Sequence, residues 1–275
     1  MNFGSIGFGL LAAALWGSGD FSGGVASKSR DAFRVVAGAH GTGLILSLAI
    51  ALLIREPLPS TAAVLWAILG GVSGGLALGA FYRALAIGTM GVNAPAAAII
   101  TTALPLAVGM FTQGIPKPLQ LAGFALAALS ILLVSRPEKL HGRPKGLGLA
   151  ILSGVGFGIF LVALQRAGTE HIFWPLSVAR LASAAVAVAM VLATRPAKSD
   201  SSIALVALAG TFDTLGNACF MLAARSGRLD IAAMLSSLYP VTTVLLAYFV
   251  MRERIHRVQA IGSVFALLAV LMISS

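Results

Sequence analysis

Five ionisable side chains stand within or at the edges of long apolar runs: Asp20, Arg34, His40, Arg180 and Asp213. An ionised group at bilayer depth costs at least about 2.5–3.5 kcal/mol on insertion scales, so each is a candidate for chemistry. Asp20 shares a helical face with Trp16 and Gly23, at i−4 and i+3. An aromatic wall beside a carboxylate suits an ammonium group, through charge pairing and cation–π attraction. The alternative is an Asp20–Arg34 pair that ties two helices together. Asp213, Asn217 and Phe220 form a second stripe at i, i+4 and i+7. Its acid can bind an amine or carry a proton, although Thr211 and Thr214 offer local partners to a purely structural aspartate. Arg180 has a guanidinium fork that matches a carboxylate bidentately, and its other role is to neutralise Asp213 or Asp20. His40 reads as a packed, hydrogen-bonded histidine, and Arg83, nearer a helix end, as one that snorkels. With Tyr82 and Tyr239 as walls, the binding candidates are Trp16, Asp20, Tyr82, Arg180, Asp213, Asn217, Phe220 and Tyr239. Asp213 and Asp20 are the candidates for proton coupling.

The elements that must position these groups are set by composition. Of 275 residues, 58% are hydrophobic and 10% charged, with a mean hydropathy of +0.96. A water-soluble domain carries roughly a quarter charged residues, so the solvent for most of this chain is lipid. Ten runs are long enough for helices that cross a bilayer core, near 4–26, 33–54, 63–86, 92–113, 118–135, 147–165, 173–193, 202–224, 230–250 and 256–274. Strands are excluded because open edges in lipid leave backbone groups unpaired and the runs do not alternate. The net charge of +10 sits mostly in the short gaps between runs. This points to lipid headgroups rather than nucleic acid.

A constant shift of 139 residues superposes Gly71 on Gly210, Phe81 on Phe220, Ala84 on Ala223 and Gly88 on Gly227. It also pairs Gly17 with Gly156, Gly19 with Gly158, Pro57 with Pro196, Gln120 with Gln259 and Gly123 with Gly262. This is the mark of a duplication. The first unit covers 1–137, a charged linker 138–145, and the second unit 146–275. With five spans per unit the second enters from the opposite side, which predicts an all-α integral membrane fold of two inverted five-helix repeats around a central cavity. The acids and Arg180 break the duplication: Asp20 falls on Ile159, Asp213 on Gly74 and Arg180 on Gly41. Glycines at four-residue spacing, Gly71-Gly75-Gly79 among them, read as helix-packing surfaces. Pro95, Pro105 and Pro240 are expected to interrupt the fourth and ninth helices and free carbonyls. By the distribution of Lys and Arg, both termini lie outside.

No phosphate-binding loop, paired metal-ligand spacing, nucleophile elbow or dinucleotide fingerprint is present. The single cysteine, Cys219, excludes an internal disulfide. No cofactor, metal or catalytic residue is expected, and no ATP-driven pump.

The chain resembles the EamA family of the drug/metabolite transporter superfamily over essentially its whole length. The resemblance rests on LLAAALWGSGDF (10–21), FYRALAIGTMGVNAP (81–95), LYPVTTVLLAYFVMRERIHRVQAIG (238–262) and the midpoint duplication. In the family pattern an acidic turn precedes Gln-x-x-Gly at each unit's last helix. Glu253 keeps it before Gln259 and Gly262, whereas the first unit has Gly114 there. The resemblance implies ten helices, a central cavity, cytoplasmic termini and outward movement of small metabolites, often amino acids. The expected function is thus secondary transport of small polar metabolites across the inner or plasma membrane by alternating access, coupled to protons or an exchanged solute, by a monomer or homodimer. An integral membrane enzyme on lipid-linked substrates, or a non-transporting scaffold or sensor, is the alternative.

Overall fold

The computed structural model describes residues 3–27, 31–87, 90–134, 145–195, 202–251 and 257–274. Glu253 and nearly all of the charged linker lie outside the described residues, as do the side chains of Tyr82 and Pro95. The described chain folds into helices: α1 (Phe3–Ser27), α2 (Ala32–Leu53), α3 (Thr61–Ile87), α4 (Met90–Gln113), α5 (Pro118–Val134), α6 (Leu147–Ala167), α7 (Phe173–Thr194), α8 (Ile203–Ser226), α9 (Leu229–Ser236), α10 (Tyr239–Met251) and α11 (Arg257–Ser274).

Among the described residues, seven segments are long and apolar enough to cross a membrane, Ala32–Leu53, Leu147–Ala167, Ile203–Ser226 and Leu229–Val250 among them. The apolar helices α5 and α11 are shorter, and α1 has the length but is diluted by glycine, serine and Asp20. The outer surface is what lipid requires and water would not tolerate. Leu53, Phe111, Leu192 and Leu267 are all exposed on it.

The expected proline break fails in the fourth helix and holds in the ninth. α4 runs unbroken through Pro105. Pro105 has no N–H, so the Thr101 carbonyl still loses its intrahelical partner, but the helix does not stop. The ninth run is interrupted at Pro240, as expected, and forms two helices. α9 ends at Ser236 and α10 starts at Tyr239, because Pro240 cannot bond the Ser236 carbonyl. The turn is closed by shorter-range bonds, from Leu238 N–H to Leu235 C=O (3.3 Å) and from Val241 N–H to Leu238 C=O (3.0 Å).

Side-chain hydrogen bonds fix how the helices pair. α1 and α8 pack antiparallel: the Ser5 hydroxyl donates to the Ala223 carbonyl (2.9 Å) and the Trp16 indole to Asn217 Oδ1 (2.9 Å). α2 and α7 cross where Ser177 donates to Ser47 (3.0 Å). α5 and α11 run antiparallel, with Gln120 donating to the Ile273 carbonyl (3.3 Å) and Ser130 to the Gly262 carbonyl (2.7 Å). α3 lies on α6 and α7, α4 on α6, and both α9 and α10 on α1. Two glycines admit the closest backbone approaches. A methyl group on Gly71 would strike the Ala179 carbonyl, and one on Gly210 would strike the Ala39 carbonyl.

Two polar knots close the helix ends. The Glu56 carboxylate accepts from the Ile172, Phe173 and Trp174 amides at 2.9, 3.3 and 2.7 Å, satisfying the first turn of α7. Arg228 donates to both carboxylate oxygens of buried Asp230 (3.1 and 2.7 Å) and to the Gln113 and Gly114 carbonyls at the end of α4.

Candidate functional site

Between these helices lies a cavity of about 130 Å³, room for several waters or a small metabolite. Helices from both halves of the chain build it. Glycines on α1 and α3 (Gly19, Gly23, Gly71 and Gly74) thin its walls. Its polar side is made by the long α1–α8 and α2–α7 contacts, which bring Asp20, His40, Arg180, Asp213 and Asn217 to one place.

At the centre, Arg180 Nη1 stands 2.6 Å from Asp213 Oδ2, and His40 Nε2 lies 3.8 Å from the same oxygen. The arginine is packed away, with its side chain 5% exposed, whereas 36% of the Asp213 side chain is open. The guanidinium is therefore the anchor and the carboxylate is the surface the cavity presents. The site accommodates the anchor through Gly43 of α2: a Cβ there would come within 3.2 Å of Arg180 Nε and crowd Thr214 Oγ1. Asp20 faces the cavity from α1 and makes no ion pair of its own among the described residues.

Trp16 is fixed by its hydrogen bond to Asn217 and by Phe220, whose ring centroid is 5.7 Å away. Asn217 is itself buried, and its amide nitrogen has no hydrogen-bond partner among the described residues. Phe220 is fully buried and belongs to the core cluster around Leu164 and Leu176. It backs Trp16 and does not line the cavity, which corrects its expected place as a wall. Tyr239 lines the cavity at the start of α10, beside Ser237 in the α9–α10 break. The Tyr82 side chain lies outside the described residues.

The opposite side is apolar and aromatic, formed by Leu78, Phe81, Phe157, Phe160 and Leu161 of α3 and α6. Spacing along α1 and α8 showed none of these. Gly74, which the repeat aligns with Asp213, packs on this side against the Phe160 ring. His40, read from the sequence as a packed histidine, is buried, and the α2–α8 contact brings it to Asp213. Thr101 joins them from α4, four residues before Pro105.

The arrangement can hold a positive charge beside an apolar surface. Among the described residues, no cluster of acidic, histidine or cysteine side chains is suited to a metal ion.

A family model for EamA-like transporters matches residues 144–275 of the chain. No curated protein sequence matches it. In all, 29 chains of known structure resemble it. One, described only as the crystal structure of a protein, superposes with a TM-score of 0.81 at 17% identity, covering 99% of this chain and 96% of that one. At that identity the likeness shows the fold alone.

Proposed function

Because the chain belongs to the EamA-like transporter family of the drug/metabolite transporter superfamily, we propose that it moves small polar metabolites, amino acids and related compounds, across the cell membrane by alternating access. The observation that carries this reading is the Asp213–Arg180 pair, placed with Asp20 on the wall of a cavity in a lipid-facing bundle. Charges are costly there and serve best where a solute or proton must be met. Export is the proposed direction, and protons or a counter-solute the coupling. Trp16, Asp20, Asp213, Asn217 and Tyr239 are the proposed contacts, with Arg180 holding Asp213 in place.

The proposed scaffold is ten spans in two inverted five-helix units. α9 and α10 together form the ninth span, and α1, despite its polar content, the first. Helix pairing supports it. If α1–α5 correspond in order to α6, α7, α8, α9–α10 and α11, then the α1–α8 contact is the counterpart of α6–α3, and α2–α8 of α7–α3. The counterparts α5 and α11 run antiparallel, as inversion requires. Gly71 and Gly210, one repeat apart, make the same contact with a carbonyl of the other unit's second helix. Such a plan lets the two halves exchange conformations and open one site to either side.

The test is uptake into everted membrane vesicles across a solute panel, with and without a pH gradient. Solute accumulation should depend on the protein and collapse in Asp213→Asn. An Asp213→Asn protein with unchanged rate and pH dependence would remove the coupling role.

A further inference from the structure

The two sides of the cavity differ in a way that narrows the solute. One side holds two carboxylates, Asp20 and Asp213, against one guanidinium. That guanidinium is turned to Asp213, with its side chain only 5% exposed and its Nε against Gly43. The other side is a continuous apolar wall carrying the Phe81, Phe157 and Phe160 rings. Phe81 and Phe157 sit edge to face with centroids 5.9 Å apart, a favourable aromatic pairing within that wall.

A zwitterion needs a cation to receive its carboxylate. Among the described residues that line the cavity, Arg180 is the one arginine, and it is packed against Asp213. An incoming carboxylate would have to expel Asp213 and would then stand near two acids. An ammonium faces the reverse: two acids, one of them without an ion pair among the described residues, and an indole beside them.

We infer that the solute is an organic cation, an amine with an apolar or aromatic body and no carboxylate. Its ammonium lies between Asp20 and Asp213 beside Trp16, and its body lies against Phe157 and Phe160. This rests on the transport reading and selects, among amino acids and related compounds, the amine without the acid. Among the described residues, His40 and Arg180 also stand against Asp213, at 3.8 and 2.6 Å, and both side chains are nearly buried while the Asp213 side chain is open.

The test compares matched probes on the purified full chain: phenethylamine, phenylalanine and 3-phenylpropionate, each by calorimetric titration, and each as a solute in vesicles. Phenethylamine should bind at least tenfold more tightly than phenylalanine, and phenylpropionate should not bind. Asp20→Asn should abolish the preference and Asp20→Glu should retain it, with melting curves confirming that both fold. Phe160→Leu should weaken phenethylamine severalfold. Equal or tighter binding of phenylalanine, binding of phenylpropionate, or no binding by any probe overturns the inference. If phenylalanine is transported and phenethylamine is not, this inference fails while the transport reading stands. If phenethylamine binds with the expected preference and nothing moves, the transport reading fails alone.

Discussion

Asp213 and Arg180 meet at 2.6 Å, and the exposed partner is the acid: its side chain is 36% open against 5% for the arginine. The asymmetry decides what each deletion does. Breaking a buried pair strands the remaining charge, at about 3–5 kcal/mol when both are dry. Asp213→Leu strands the packed guanidinium and should cost about 3 kcal/mol, the lower end because the acid is partly open. Arg180→Met leaves an acid that cavity water can solvate, and should cost about half as much. The double variant should recover most of the Asp213→Leu loss. Thermal unfolding in detergent reads all three, and the opposite ranking of the single variants would show that the arginine is the exposed member.

Gly71 and Gly210 make the same approach in the two halves, each beneath an alanine carbonyl of a facing helix. Gly71→Ala and Gly210→Ala should each lose about 1–3 kcal/mol through overpacking. Gly24 has open space where its Cβ would be. Gly24→Ala should be neutral or gain about 0.5–1 kcal/mol, because alanine suits a helix better. Equal melting temperatures for all three would mean that the close contacts are not limiting.

Much of this was legible in the sequence because lipid imposes simple rules. Apolar runs near 20 residues mark helices, and the cost of intramembrane charge singles out Asp20, Arg180 and Asp213. What escaped depends on which face of a helix meets which neighbour. Phe220 shares a stripe with Asp213 yet turns into the core, while Phe157 and Phe160 carry no mark that distinguishes them from lipid-facing residues. Pro105 and Pro240 look alike in sequence, yet only one helix breaks. Glu56 lies between the second and third apolar runs, and only the fold brings it to α7, more than 100 residues along the chain.

That Glu56 contact gives the third prediction. Its carboxylate serves three amides at the positive end of α7, the helix that carries Arg180. Glu56→Ala should cost about 1–2 kcal/mol, as for loss of a helix cap. Glu56→Gln keeps an acceptor but loses the charge that favours the helix N-terminus, and should cost roughly 0.3–1 kcal/mol. Unfolding measured at two salt concentrations checks the distinction: the charge-dependent part should shrink as salt rises. If Glu56→Ala is no less stable than Glu56→Gln, the contact contributes nothing.

Arg228 supplies the last. Its fork reaches four acceptors at once: both oxygens of Asp230, whose side chain is 0% exposed, and the carbonyls of Gln113 and Gly114. It thereby fastens the start of α9 to the end of α4, and the Leu229 amide reinforces the join by donating to Gln113 Oε1 (3.0 Å). Arg228→Met leaves a dry carboxylate and two carbonyls without donors, and should cost about 3 kcal/mol. Arg228→Lys keeps the charge but offers a single ammonium that cannot span all four acceptors, so it should recover less than half of that loss. Asp230→Asn in the Arg228→Met background should recover more, because the stranded charge is gone. Thermal unfolding of the three variants checks the order, and a lysine variant as stable as the parent would show that charge alone, without the fork, holds the two helices together.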